Sequence, residues 1–160
     1  MEQTVDYALR PVREDDEALL LEIYAGTRAD EMALVPWDTA QKQAFLQMQL
    51  SAQRDHYRSY FPAARHDLIL VGDQPVGRLY VDRRASEIRI LDFTILPERR
   101  GRGIGTLVIQ DLMKEAVEKN TSLSIYVESF NRSLGLFQRL GFAKMDENGA
   151  SWLMVWRAAS

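Results

Sequence analysis

The stretch "ILPERRGRGIG", from Ile95 to Gly105, joins an apolar strand pattern to an apolar helix pattern. Its last seven residues contain three arginines and three glycines. The first N–H groups of a helix have no partner within the helix and carry partial positive charge. Glycine allows the backbone to approach a bound group closely and to adopt positive φ. The stretch therefore predicts an anion site, of the kind that holds a pyrophosphate, at the start of a helix.

The spacing of the glycines argues against two common nucleotide-binding motifs. Gly105 is followed by Thr106, without the lysine of the Walker pattern. The glycines are spaced Gly-x-Gly-x-Gly, whereas the dinucleotide fingerprint requires Gly-x-Gly-x-x-Gly. An exposed basic turn with a glycine cap is the alternative that these residues leave open.

The composition is that of a soluble globular protein, and a length of 160 residues favours a single domain over residues 1–160. There is no cysteine, and the two histidines lie near no carboxylate cluster, so no metal site is expected. A net charge of −3 argues against nucleic-acid binding through the arginines. The apolar runs are too short to span a membrane, and the first ten residues contain no secretory signal, so a cytoplasmic location is expected.

Periodicity on both sides of the loop predicts the element order β-α-α-β-β-β-α-β-α-β-β. Asp38 is expected to cap the second helix and Pro62 to follow its end. The predicted elements are a strand over 4–12, helices over 14–32 and 38–61, a hairpin over 67–83, a strand over 87–96, a helix over 103–119, a strand over 123–127, a helix over 131–140 and a hairpin over 142–156. The fold class is therefore α/β (α+β), with a mixed sheet of about seven strands flanked by four helices.

Two motifs resemble those of the GNAT superfamily of N-acetyltransferases. The sequence "RGRGIG", from Arg100 to Gly105, matches each fixed position of the family's acetyl-CoA signature, Arg/Gln-x-x-Gly-x-Gly/Ala. The sequence "NRSLGLFQRLGF", from Asn131 to Phe142, is similar to its second motif, an asparagine followed by a short helix that ends in Gly-Phe. The "LRP" start and the "WLMVW" hairpin also fit, so the resemblance covers nearly the whole chain and implies the GNAT fold.

The resemblance implies acetyl-CoA as the cofactor, bound in a splay between the strand that ends at Ile95 and the strand that ends at Val127. The backbone of Thr94 and Ile95 would bond the pantetheine arm, and Asn131 would bond the cofactor from the other side. The pyrophosphate would lie against the loop and the first helical turn, that is Arg100, Gly101, Arg102, Gly103, Ile104, Gly105 and Thr106. An amine would then attack the thioester directly in a ternary complex.

Strand alternation provides the first candidate for proton transfer, which is useful because the attacking amine must be neutral. In "IRILDFTI", Ile88, Ile90, Asp92 and Thr94 are predicted to share one face. Asp92 is then either a base or an anchor for the substrate amine, or else the partner of an arginine such as Arg78.

The next strand provides two more candidates. Tyr126 and Glu128 are predicted to share a face beside the cofactor, as acid or base groups, or else as a half-buried tyrosine and a solvated strand end. The resemblance implies that Phe137 lies at the cofactor, in the position where many family members have a tyrosine that protonates the leaving thiolate. Since a phenyl ring cannot donate a proton, Tyr126 is the candidate donor, with water or another hydroxyl group as the alternative.

The acceptor is left open by the sequence. The second helix is rich in glutamine and is flanked by Trp37, Tyr57 and Tyr60, which indicates either an aromatic-edged polar acceptor site or a solvated helix face over core aromatics. A polyamine, an antibiotic amine, an amino acid and a protein N-terminus all stay open, as does a homodimer. The alternative function is a catalytically weak module that binds or senses acyl-CoA, and Phe137 is its main support.

Overall fold

In the computed structural model, residues 6–158 are described, and they form a seven-stranded sheet with four α-helices. Residues 4 and 5 of the predicted first strand lie outside the described residues. The elements are β1 Ala8–Pro11, α1 Glu17–Ala33, α2 Thr39–Tyr60, β2 Arg65–Val71, β3 Gln74–Arg83, β4 Glu87–Ile95, α3 Ile104–Glu118, β5 Ser122–Glu128, α4 Ser133–Arg139, β6 Ala143–Asn148 and β7 Ser151–Trp156. The predicted fold class and element order are confirmed, with short 3-10 turns added at Glu14–Asp16 and Pro97–Arg99.

The strand order across the sheet is β1-β2-β3-β4-β5-β7-β6. Within the described residues, β4 and β5 are the one parallel pair, and every other neighbouring pair is antiparallel. A parallel pair needs a crossover connection, which α3 provides. Residues 96–103, which we call the arginine-glycine loop, therefore begin at the C-terminal end of a central strand and lead into the crossover helix.

Local sequence signals set the helix ends. The Asp38 carboxylate accepts a hydrogen bond from the Gln41 amide, and the Gln41 side chain accepts one from the Asp38 amide, so the predicted cap of α2 is confirmed as a capping box. Gly103 precedes α3 with a φ of 83°, and Gly141 follows α4 with a φ of 97°. Both values lie in the left-handed region, which favours glycine.

Two apolar clusters cover the two faces of the sheet. The larger one packs α3 and α4 against one face, with Ile88, Ile90, Ile109 and Phe137 fully or almost fully buried. The smaller one lies under α1 and α2 and contains Leu20, Ile23, Leu50, Leu68 and Leu96. The face toward which a residue of β4 points therefore decides which pair of helices it meets.

A β-bulge at Leu91 changes the phase of β4. Tyr80 of β3 pairs with Asp92, but its neighbour Val81 pairs with Ile90, so Leu91 is an extra residue in β4. Because successive residues of β3 point to opposite faces, Ile90 and Asp92 also lie on opposite faces. Asp92 thus shares the face of Tyr80.

The predicted common face for Ile88, Ile90, Asp92 and Thr94 is wrong for this reason. Strict alternation holds only in an uninterrupted strand, and a bulge reverses the assignment beyond it. Ile88 and Ile90 belong to the cluster under α3 and α4, whereas Asp92 and Thr94 lie on the face covered by α1 and α2.

His66 is a neutral histidine between the sheet and α2. Its ring stacks on Tyr80, with centroids 4.3 Å apart and planes 12° apart. Burial lowers the pKa of His66 to about 3, and the nearby charges of Arg78, Arg54 and Arg58 act in the same direction. The unfolded chain therefore binds a proton at a pH where the folded protein does not.

We expect this histidine to make folding sensitive to acid. Because its folded pKa lies below the unfolded value of about 6.5, stability falls as the pH is lowered from about 6.5 toward 3, by up to about 2 kcal/mol at pH 5. His66→Phe keeps the stacked ring and should flatten the urea-unfolding free energy between pH 7 and 5. His56→Phe, at an exposed position, serves as the control and should keep the wild-type slope. Equal slopes for the wild type and His66→Phe would contradict this assignment.

Candidate functional site

The pairing between β4 and β5 ends before either strand does. It runs over four residue pairs, from Glu87↔Ser122 to Ile90↔Ile125. Beyond Ile90, β4 stays paired with β3 as far as Ile95, and beyond Ile125, β5 stays paired with β7 as far as Glu128. The inner edges of the two strand ends thus face each other without ladder hydrogen bonds. Backbone groups in such a position need other partners, and an extended ligand arm can provide them.

The loop at the end of β4 presents free backbone donors. Gly101 and Gly103 have φ values of 78° and 83°, and a side chain added at either position would meet nothing within 4 Å. The first backbone hydrogen bond of α3 joins the Leu107 N–H to the Gly103 carbonyl, at 3.0 Å. The amides of the helical residues 104–106 therefore have no acceptor within the helix, as an anion site requires.

The arginines of the loop add positive charge beside these amides. Arg100 and Arg102 are exposed, and Arg99 is half-buried. The Arg100 Nε also donates to the Ile95 carbonyl at 3.1 Å, which fixes the loop to the end of β4. One of the two backbone residues predicted to bond the pantetheine arm thus already accepts a hydrogen bond, although a carbonyl can accept a second one.

Gly105 serves a different purpose from the two glycines before it. A side chain there would begin 3.3 Å from Cζ of Phe93 and 3.7 Å from Cδ2 of Leu136. Its missing side chain therefore allows the first turn of α3 to pack closely on β4. Glycine at this position thus has a packing role as well, its amide remains one of the free donors, and its approach to a phosphate stays a prediction.

The second motif begins with a cap. The Asn131 Oδ1 accepts hydrogen bonds from the backbone N–H and the hydroxyl of Ser133, both at 2.9 Å, which fixes the start of α4. Phe137 is 0% exposed and packs edge-on against Phe93 and Phe142, at centroid distances of 6.3 and 5.1 Å. This side chain has no exposed surface in the structure and packs within the apolar cluster under α3 and α4, and its predicted contact with the cofactor stays a prediction.

Asp92 forms an ion pair with Arg78, as the second of its two interpretations anticipated. Arg78 is buried, with 1% of its side chain exposed, and its Nη2 also donates to Oε1 of Gln53 at 2.6 Å. Asp92 keeps 20% of its side chain exposed and accepts a hydrogen bond from the Thr94 hydroxyl at 3.3 Å. The carboxylate is thus held in place on the α1/α2 face, and its role as a base stays a prediction.

A cavity of about 240 Å³ lies on this face, where the β4–β5 ladder ends. Its residues come from the end of α2 and from the two strands, and include His56, Tyr57, Phe61, Arg89, Leu91 and Tyr126. The Tyr57 hydroxyl donates to the carbonyl of the bulge residue Leu91 at 2.9 Å. Burial raises the pKa of the Tyr57 phenol, so the hydroxyl stays protonated as a donor. We call this cavity the bulge pocket.

Tyr126 and Glu128 both reach toward α1 and α2. Tyr126 follows the last parallel pair, is 44% exposed, and lies under the Arg89 guanidinium at 5.0 Å. Glu128 is half-buried, and its Oε1 lies 3.6 Å from Nη1 of Arg28 on α1. Tyr126 therefore borders the bulge pocket, and Glu128 pairs with an arginine beside it instead of standing as a solvated strand end.

The glutamines of α2 mostly hold the helices in place. Gln47 donates to Glu17, and the Tyr24 hydroxyl donates to Gln49. Gln41 completes the cap and Gln53 accepts from Arg78, as described above. Among the aromatic residues predicted for the acceptor side, Tyr57 lines the pocket, Trp37 packs on Phe45, and Tyr60 is 70% exposed.

Arg89, His56 and Phe61 were not anticipated from the sequence as site residues. Arg89 donates from Nε to the Ser124 hydroxyl at 2.7 Å and from Nη2 to Glu87. Burial would raise the pKa of Glu87, but the hydrogen bond from Ser124 and the charges of Arg89 and Arg84 outweigh it and lower the pKa. The sequence did contain a signal for Arg89: it alternates with Ile88 and Ile90, so its side chain points to the face opposite these two core residues.

The part of the chain that the structure describes contains neither a candidate metal site nor a candidate membrane-spanning helix. Residues 6–158 contain no cluster of three or more histidines and carboxylates that could hold a metal ion. Their helices include none that is both long and apolar enough to cross a membrane.

Comparison with known proteins finds one matching family and several structures with a similar fold. Residues 20–142 match the model of the "Acetyltransferase (GNAT) family". The PaiA N-acetyltransferase of Thermoplasma acidophilum, solved with coenzyme A, is similar at a TM-score of 0.70 and 14% identity, over 96% of this chain and 99% of that one. An acetyltransferase of Thermus thermophilus gives a TM-score of 0.69 at 21% identity, over 95% and 97%. The ribosomal-protein-S18-alanine N-acetyltransferase of Escherichia coli gives 0.63 at 11% identity, over 95% and 94%. No curated protein sequence matched the chain.

We expect Gly103→Val to abolish coenzyme A binding without unfolding the protein. The side chain would project into the open space above the free amides, and a β-branched residue resists positive φ at a cost of about 1–3 kcal/mol. Gly72→Val is the matched control, because Gly72 has a φ of 60° and equally open surroundings but lies in the β2–β3 turn. Calorimetric titration with coenzyme A should show binding by Gly72→Val and no binding by Gly103→Val. Normal binding by Gly103→Val would contradict the assignment of the loop.

Proposed function

The chain belongs to the GNAT family of acetyltransferases, and from that premise we propose that it moves the acetyl group of acetyl-CoA to a primary amine of a small molecule or a peptide. The amine attacks the thioester directly, in a complex that contains both substrates. The observation that carries this proposal is the opening between β4 and β5, which leads to a loop and helix end with free amides.

The residues of this opening fit acetyl-CoA. The inner edge of β4 near Thr94 and Ile95 would bond the pantetheine arm, and Asn131 would bond the cofactor from the side of β5. The pyrophosphate would lie on the amides of the loop and of residues 104–106, near the charges of Arg100 and Arg102. The cofactor supplies an activated acetyl thioester, and the protein supplies its position and hydrogen-bond donors for the charge that develops on the carbonyl oxygen.

The acceptor would approach from the α1/α2 face, where the bulge pocket lies. The bulge turns Asp92 to this face, so its carboxylate can anchor the acceptor's ammonium group or accept the proton that the amine loses, directly or through a water molecule. The ion pair with Arg78 holds the carboxylate in one place. Glu128, at the other side of the opening, is the second candidate for this proton.

The leaving thiolate also needs a proton. A phenyl ring at position 137 cannot supply it, and that ring is fully buried. Tyr126 is the candidate, because it is exposed at the point where β4 and β5 separate. A coenzyme A thiolate is a good leaving group, so water is the alternative donor.

The second candidate function is binding or sensing of acyl-CoA without efficient transfer. The observation in its favour is Phe137, which replaces the usual phenol by a buried ring. The two functions separate in one experiment: calorimetric titration with acetyl-CoA, followed by thiol release over a panel of amines. Release with at least one amine supports the transferase, and binding without release on any amine supports the sensor. The cytoplasmic location, the single domain and the homodimer stay predictions.

We predict that acetyl-CoA raises the melting temperature of the protein. A ligand at about 100 times its dissociation constant stabilises the folded state by roughly 2.7 kcal/mol. Acetate and free adenine serve as controls, since neither spans the opening and the loop. A folded protein whose melting temperature does not change at millimolar acetyl-CoA would refute the cofactor assignment.

We also predict that Tyr126→Phe lowers kcat by about 100-fold, as expected for the loss of a general acid. The affinity for coenzyme A should hardly change, because the ring stays. Tyr60→Phe is the control, since Tyr60 is 70% exposed and does not line the bulge pocket. If Tyr126→Phe retains the full rate, water protonates the thiolate and Tyr126 is a residue of the pocket wall alone.

A further inference from the structure

The bulge pocket is lined by Arg89, whose guanidinium group is held in place by some of its donors while another has no partner among the described residues. Arg89 donates from Nε to the Ser124 hydroxyl at 2.7 Å, and from Nη2 to the two carboxylate oxygens of Glu87 at 3.2 and 3.3 Å. Its guanidinium lies over the Tyr126 ring, 5.0 Å from the centroid. Among the hydrogen bonds within residues 6–158, none uses the Nη1 of Arg89, although the residue lines the pocket.

We propose that Arg89 binds a carboxylate of the acceptor, and that the acceptor is a small amine of amino-acid type that carries this carboxylate close to its amino group. The proposal rests on the acetyltransferase function above and names the substrate class of that site. Arginine suits this task because its planar group offers several donors in a fixed arrangement.

The charge of the pocket favours an anionic group. Among the described residues that line it, Arg89 is the one arginine, and none is a lysine or a carboxylate; the other side chains there are aromatic or aliphatic. A purely cationic acceptor, such as a polyamine, would meet no carboxylate in the pocket itself. A carboxylate would form a charge-assisted hydrogen bond with Nη1, and the rings of Tyr57, Phe61 and Tyr126 would cover the rest of a small molecule.

The existing partner of Arg89 leaves room for a second one. Charge-assisted N–H···O bonds are strongest at about 2.7–2.9 Å, and both contacts of Arg89 with Glu87 are longer than that. Glu87 also accepts a hydrogen bond from Arg84 at 2.7 Å and one from Ser124 at 2.7 Å. Glu87 and Ser124 therefore orient Arg89, which lines the pocket and whose Nη1 forms no hydrogen bond within residues 6–158.

The position of Arg89 relative to the chemistry sets the size of the acceptor. Arg89 belongs to the parallel ladder one residue before its last pair, and the bulge residue Leu91 lines the same pocket. The opening between β4 and β5, where the thioester is proposed to lie, begins immediately beyond the Ile90↔Ile125 pair. A cavity of about 240 Å³ accommodates a molecule the size of an amino acid, so a carboxylate on Arg89 would leave the neighbouring amine at the start of the opening.

The test measures acetyl transfer to matched pairs of acceptors, each an amino acid and its carboxamide, which lacks the negative charge. Polyamines and short peptides complete the panel. For the wild type we expect kcat/KM to be at least about tenfold higher for the acid than for the amide, the ratio typical of a hydrogen bond to a charged group. In Arg89→Gln this ratio should fall to about one, because kcat/KM should fall far more for the acid than for the amide, mainly through KM.

Arg84→Gln is the matched control, since Arg84 contacts the same Glu87 but does not line the pocket, and it should keep the preference for the acid. Arg89→Lys keeps the charge and should keep part of the preference, which provides a second test if Arg89→Gln does not fold. Calorimetric titration of amino acids into protein saturated with coenzyme A gives a readout without turnover. Binding should be seen for the wild type and lost in Arg89→Gln.

Each other outcome counts against the inference. Equal rates with acids and amides, a preference that survives in Arg89→Gln, or transfer to polyamines or peptide N-termini alone would overturn it while leaving the transferase function in place. If acetyl-CoA binds but no amine of the panel is acetylated, the proposed transferase function fails instead, together with the inference that rests on it.

Discussion

The early end of the β4–β5 ladder is the constraint on which the rest of the site depends. Both strands continue beyond Ile90 and Ile125, but each is held there by its outer neighbour alone. Unpaired backbone at the centre of a sheet is costly unless a ligand or water satisfies it. The same divergence leads β4 into the arginine-glycine loop and places the start of α3 next to the opening. One break in strand pairing thus lies beside both the backbone proposed to bond the pantetheine arm and the amides proposed to hold the pyrophosphate.

The bulge at Leu91 separates the face under α3 and α4 from the face that we propose for the acceptor. Before it, β4 points its apolar residues toward α3 and α4, and after it Phe93 continues that packing against Phe137 while Asp92 faces the other helices. The hydroxyl of Tyr57 holds the bulge carbonyl from α2, so the helix beside the bulge pocket also fixes β4. Under the proposed function, a change at the end of α2 would therefore affect both substrates.

The element order, the helix ends and the glycine-rich loop before α3 could be predicted from the sequence because each depends on local chemistry. The positive φ of a glycine, the capping box at Asp38 and the apolar periodicity of a helix each depend on residues that are close together in the sequence. The bulge could not be predicted, since an extra residue in a strand leaves no mark in an apolar–polar pattern. The assigned face of Asp92 was wrong for that reason. Arg89 was missed because its partners, Ser124 and Tyr126, lie on a strand far along the chain, and their meeting depends on register.

Amide hydrogen exchange with and without acetyl-CoA tests the central claim most directly, because it reports on the backbone groups that the account assigns to the cofactor. We expect acetyl-CoA to slow exchange at the amides of the loop and the first turn of α3, over residues 100–106, and along the facing ends of β4 and β5. The outer strands β1 and β6 should exchange at unchanged rates. Binding of acetyl-CoA without slower exchange at residues 100–106, or with slower exchange at β1 or β6 alone, would contradict the account.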